Sequence, residues 1–205
     1  MVVKTFFNAL LAGIALGIAG TVNLSVENRV VGAFLFGFGL FWILCYDFKL
    51  YTGAVGYWIL QGWKFLSYGG TLLIILLGNF AGTSFLGWVI RHTRLENVVE
   101  RANALCLPKM QDEMLSLFLL SFLCGILMYL AVETFRSSRP DIFRVLMVFL
   151  CVSIFILAGF EHCIANMYYF AAAGQIHPLS MKCLAVMVVG NGVGGMFLPL
   201  MDRVR

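Results

Sequence analysis

Residues 141 to 173 form an apolar stretch too long for one straight membrane crossing, and it is interrupted by "AGFEHCIANMYYF" at 158–170. The run before it, "FRVLMVFLCVSIFIL", has the length and apolarity of a membrane helix. A second long stretch, about 30 to 61, breaks at "DFKLYTGAVGYW" (47–58). A helix broken in lipid leaves backbone N–H and C=O groups unpaired, and each costs roughly several kcal/mol unless protein or water satisfies it. A chain with two such breaks must therefore fold so that other segments supply the missing partners.

Composition fixes the class. Hydrophobic residues make up 61% of 205 and charged residues 12%, about half the charged share of a soluble domain. Lys4 followed by "TFFNALLAGIALGIAG" has the outline of a signal peptide, but the same composition continues to the C-terminus, which favours a membrane segment. The net charge of +4 is scattered and implies no nucleic-acid partner. The six cysteines show no ligand spacing and are expected to be free thiols.

Six membrane segments are expected, at about 5–24, 30–61, 71–90, 113–133, 141–173 and 180–200. Pro108, Pro140 and Pro178 each precede a segment, where a missing N–H costs least. Residues 91–112 read as the one long polar loop. An even number of crossings puts both termini on one side. Basic residues, seven on the terminal side against six opposite, barely choose between sides, although the seven lie closer to helix ends. The expected location is a bacterial plasma membrane with both termini cytoplasmic.

An internal repeat organises these segments. "GNFAGT" (78–83) recurs as "GNGVGG" (190–195), 112 positions on, and Thr52 and His162 in the two breaks stand 110 apart. Each half then reads as a straight segment, a broken segment and a segment bearing G-N-x-x-G. Three crossings per half is odd, so the second half enters the membrane inverted. The expected fold is all-α and integral to the membrane, one unit over 1–205, with repeats of about 1–105 and 106–205. Inverted repeats with paired broken helices point to a transport site near the midplane.

Asn79 and Asn191 are suited to bracing the breaks, since an amide offers donors and an acceptor. The same glycine-flanked motif also serves simple helix packing. His162, an expensive guest in lipid, is expected to face a pathway. Its neighbour Glu161 is expected to brace freed N–H groups. Asp47 and Lys49 flank the other break. Cys163 beside His162 does not make a nucleophile pair, because adjacent helical residues do not face each other.

The stretches "AGFEHCIANMYYF", "LYTG" and "GN-x-x-GG" resemble the signature of the formate/nitrite transporter family, and the resemblance covers nearly the whole chain. It implies an aquaporin-like fold, a homopentamer with a pore in each protomer, no cofactor, no metal and no enzymatic activity. The implied cargo is a small monovalent anion: formate, nitrite, hydrosulfide or a short carboxylate. By position, His162, Thr52, Asn166 and Lys109 take substrate or pore roles. Phe36, Leu40, Leu50, Tyr51 and Phe155 take the constriction, with Tyr51 a departure from phenylalanine. Gly125 stands where many members have asparagine, and Lys49 close to where an acid is usual. The chain is also shorter than typical members.

A bare anion pays heavily to cross an apolar ring and a neutral weak acid pays far less. The anion is therefore expected to gather in a basic vestibule, gain a proton from water or through His162, and cross as the acid. Two rivals remain at this level. One is a neutral-solute channel, which glycerol swelling assays would reveal. The other is a membrane enzyme or metal site using Asp47, Glu161, His162 and Cys163. Only one of the three histidines lies in a membrane segment, and no two ligands there share helical spacing.

Overall fold

The computed structural model describes residues 2–204. α1 (Val2–Ser25) crosses to a short turn, where Asn28 caps α2 (Arg29–Cys45) by accepting from the N–H groups of Val30 and Val31. Extended backbone at 48–50 leads into the single turn α3 (Tyr51–Ala54), which tightens into 3₁₀ turns over Val55–Leu60 and Gly62–Lys64. α4 (Phe65–Arg91), α5 (Glu96–Gln111), α6 (Met114–Arg136) and α7 (Asp141–Ala158) follow. The second break, at 159–162, precedes α8 (Cys163–Ala172), and α9 (Pro178–Val204) ends the described chain. All regular structure among the described residues is helical. Five helices are long and apolar enough to cross a membrane: α1, α6, α7, the stretch Gly62–Arg91 and the stretch Pro178–Arg203. α2, at 17 residues, is apolar but shorter.

The polar loop expected at 91–112 is instead helix α5. Its buried residues Val98, Ala102 and Cys106 recur every four positions, an apolar stripe too narrow to register in the segment's polar composition. Pro108 lies within α5 and does not open a segment. Pro140 does cap α7, and Pro178 is the first residue of α9.

The two breaks are built alike, with a shift of 112 positions. Phe48 N–H donates to the Ile43 carbonyl and Phe160 N–H to the Phe155 carbonyl, both at 2.9 Å. Each break turns on one left-handed residue, Asp47 (φ 52°) and Gly159 (φ 76°). This register corrects the sequence pairing of Thr52 with His162: the equivalent of His162 is Leu50, and that of Thr52 is Ile164. The helices that carry Asn79 and Asn191 are tied to their neighbours by close crossings. α1 meets α4, and α6 meets α9, at glycines where a methyl group would strike backbone: Gly13 on the Asn79 carbonyl and Gly125 on the Asn191 carbonyl. An asparagine therefore has no room at position 125.

A side chain on Gly159 would meet open space, so Gly159→Ala tests backbone strain alone. It is expected to cost about 1 kcal/mol. Asp47→Gly should move stability slightly the other way. Thermal melting of the two variants in detergent checks both signs; a Gly159→Ala protein that melts with the wild type would remove the left-handed constraint.

Candidate functional site

Each break is braced by one asparagine using three hydrogen bonds. Asn79 donates to the carbonyls of Ala9 (2.8 Å) and Lys49 (2.9 Å), and its oxygen accepts from Tyr51 N–H (2.9 Å). Asn191 donates to Ser121 (2.7 Å) and Glu161 (2.8 Å) and accepts from Cys163 N–H (2.7 Å). Both asparagines are fully buried. The backbone groups freed by the breaks thus find partners on α1, α4, α6 and α9, which is what a helix interrupted inside lipid requires.

Between the braced breaks, Thr52 Oγ1 lies 2.9 Å from His162 Nε2. The other ring nitrogen, Nδ1, accepts the Ala165 N–H at 3.1 Å, capping α8. A backbone N–H only donates, so Nδ1 carries no proton. The neutral ring therefore holds its proton on Nε2 and donates it to Thr52. The Thr52 hydroxyl, having accepted, keeps its own O–H to offer elsewhere. Phe155 stacks on the imidazole, with centroids 5.4 Å apart, and Phe36 meets Phe155 edge-on at 6.0 Å. Thr52, His162, Phe36, Leu40, Leu50 and Phe155 are all buried.

Two cavities approach this group from opposite sides. The larger, about 550 Å³, ends at Phe155 and His162; its lining includes Arg29, Arg101, Lys109 and Asn166. The smaller, about 30 Å³, ends at Leu40 and Leu50; its lining includes Lys49 and Arg136. Tyr51 stands apart from the other four expected constriction residues. Its hydroxyl donates to the Val188 carbonyl on α9 at 3.2 Å.

Glu161 does not use its carboxylate to cap backbone N–H groups, as the sequence reading expected. Lys109 donates to both carboxylate oxygens at 2.6 Å, and Asn166 donates to Oε2 at 2.8 Å. The bracing of this stretch comes from Asn191 onto the Glu161 carbonyl. Lys109 sits in the last turn of α5, paired and mostly buried. Asn166 also donates to the His162 carbonyl at 3.0 Å, while its own oxygen is buried with no partner among the described residues.

Sequence reasoning missed two arginines at the larger cavity. Arg29 donates to the carbonyls of Ile156 and Leu157, and Arg101 to those of Leu24 and Val26. They close the carbonyl ends of α7 and α1, the orphans every helix leaves at its C-terminus. On α5, burial above all pushes the Cys106 thiol up to about 12, against the opposing pull of Lys109, so it stays protonated and unreactive.

A helical bundle with two braced breaks, meeting between opposed cavities, is the architecture of a membrane channel. The comparisons agree. A formate/nitrite transporter family profile matches residues 1–202, and the chain belongs to that family. It is an integral membrane protein whose relatives are transporters or channels and not enzymes. It is 27% identical over 194 residues to a formate-nitrite transporter of Plasmodium malariae, covering 85% of this chain and 62% of the relative. It is 26% identical over 183 residues to the formate channel FocB of Escherichia coli, covering 81% and 65%. Formate channel FocA of Haemophilus influenzae is 23% identical over 155 residues, covering 69% and 52%. The chain thus spans about half to two thirds of the length of these curated relatives. The fold matches a pentameric formate channel with formate bound at a TM-score of 0.81 and 24% identity, covering 99% of this chain and 96% of the other. It matches an ion channel of the same family at 0.76 and 22%, covering 99% and 88%.

Proposed function

We propose that this chain carries a small monovalent weak-acid anion, of the formate or nitrite class, through a pore in each protomer of a homopentamer. Six crossings in two inverted halves, about 1–105 and 106–205, would place both termini on the cytoplasmic side of a bacterial plasma membrane. The observation that carries the reading is the Thr52–His162 contact, buried between two cavities with apolar side chains on both sides of it. The Thr52 O–H is the donor offered to the substrate. Asn166 Oδ1 on the larger cavity is an acceptor suited to the O–H of a protonated acid.

The proton comes from water in the vestibule. Nδ1 of His162 already accepts a backbone N–H, so the ring has no vacant lone pair for an incoming proton, and its Nε2 proton orients Thr52. His162 then positions, and the apolar ring of Phe36, Leu40, Leu50 and Phe155 rejects the bare anion by its dehydration cost. The test is uptake into liposomes of formate, nitrite, hydrosulfide, lactate and glycerol at several pH values. Formate or nitrite uptake that rises as pH falls supports the reading. Hydrosulfide alone would name a different anion, and glycerol alone would make it a neutral-solute channel. In the same assay Phe155→Ala and Leu50→Ala should raise flux or relax selectivity; unchanged selectivity with lower flux in both would count against the constriction.

A further inference from the structure

We infer that Lys49 and Arg136 form an anion-binding subsite at the smaller cavity, the mouth beside the start of α1. This rests on the transport reading above and adds a recruiting site on the side away from Lys109. The position follows from backbone contacts: Lys49 N–H reaches the Asn8 carbonyl near the beginning of α1. Lys49 and Arg136 line one cavity of about 30 Å³ with Leu40 and Leu50, so their charges stand at the outer edge of the constriction.

The cations at the two mouths are held differently. At the larger cavity Arg29 and Arg101 are bound to carbonyls and Lys109 to Glu161. At the smaller cavity no carboxylate pairs with Arg136 among the described residues. The nearest candidate on its own helix, Glu133, three residues earlier, instead accepts a hydrogen bond from the Tyr57 hydroxyl at 2.7 Å. The Arg136 guanidinium lies over the Tyr57 ring, its Cζ 5.2 Å from the centroid. The Tyr57 hydroxyl thus sits between the Glu133 carboxylate and the Arg136 guanidinium, and Arg136, with five donors and no ion pair among the described residues, keeps donors for the cavity. Lys49 pairs with Asp47 at 2.7 Å, but the Asp47 side chain is 75% exposed, and exposed pairs of this kind hold weakly. The ammonium is free to leave it for an anion at the mouth.

The chemistry selects a small monovalent anion. A guanidinium fork fits the two oxygens of a carboxylate or of nitrite, and the ammonium adds a point charge. The cavity has room for little more than one water-sized group, which favours the smallest of these anions over longer carboxylates.

The experiment uses the full chain in liposomes and in crystals. The double variant Lys49→Gln with Arg136→Gln should raise the half-saturating formate concentration about fivefold, leave saturating flux within about twofold, and flatten the fall of flux with inert salt. Arg136→Lys, which keeps the charge but loses the fork, should fall between wild type and Arg136→Gln. Crystals soaked in bromide should show an anomalous peak at Arg136 and Lys49 in the wild type and none in the double variant. Wild-type half-saturation in the double variant, an Arg136→Lys protein as impaired as Arg136→Gln, or no bromide at this mouth overturns the subsite. A wild type that carries neither formate nor nitrite would sink the transport reading instead, and the bromide peak would then decide the subsite by itself.

Discussion

Replacing His162 by phenylalanine is expected to abolish uptake of weak-acid anions and leave an assembled protein, and replacing it by asparagine should separate the two jobs of the ring. Asparagine is a favoured helix cap, so its oxygen takes over from Nδ1 in accepting the Ala165 N–H. The variant is expected to melt close to wild type. Phenylalanine cannot cap, and that loss costs about 1 kcal/mol. Neither variant reaches Thr52 as Nε2 does. In His162→Asn, formate uptake should fall about tenfold, the effect of losing one hydrogen bond of about 1–1.5 kcal/mol. It should still rise toward low pH, because the proton comes from water. Chloride conductance should increase, because the smaller side chain under Phe155 admits water to the driest point. Formate uptake against pH, beside chloride conductance in the same liposomes, reads all of this. A flattened pH profile in His162→Asn would make the ring the proton carrier and overturn the positioning role.

Asn191→Leu should be the most damaging substitution for stability, with Asn79→Leu close behind. Leucine leaves Cys163 N–H and the Glu161 carbonyl buried without the bonds that Asn191 makes to them, and strips from the Ser121 carbonyl its second bond, beside the one within α6. Each unmet group costs about 1–3 kcal/mol, a large share of the roughly 5–15 kcal/mol that holds a domain together. Melting in detergent should drop by about 10 °C or more in each variant, or the protein should fail to accumulate. Asn191→Asp keeps the acceptor for Cys163 and should fall between. If both leucine variants melt with wild type and transport normally, the motif serves only helix packing.

Much of this arrangement was legible in the sequence because the forces that set it are one-dimensional. The breaks at 46–50 and 159–162 showed as polar residues in overlong apolar runs, and the paired G-N-x-x-G motifs located Asn79 and Asn191. What escaped depended on contacts made at a distance. α5 was hidden because a stripe of Val98, Ala102 and Cys106 does not offset its charged neighbours in a composition scan. The partner of Glu161 was out of reach because Lys109 lies 52 positions away. Thr52 and His162 stand 110 apart, two short of the 112 that relates the breaks, because their side chains meet across the repeats and are not equivalent positions within them. Arg29 and Arg101 gave no signal, because an arginine near a helix end reads the same whether it binds carbonyls or solvent.

The asparagine braces have a further consequence for how the protein is organised. All three bonds of Asn79 end within residues 9–79, and all three of Asn191 within 121–191. Each break is thus finished by its own half of the polypeptide, while the Thr52–His162 contact joins one half to the other. On the function proposed above, the conduction path would be in effect a dimer interface inside a single chain. Its selectivity can drift by changes on either face of that interface while the scaffold behind each face stays intact.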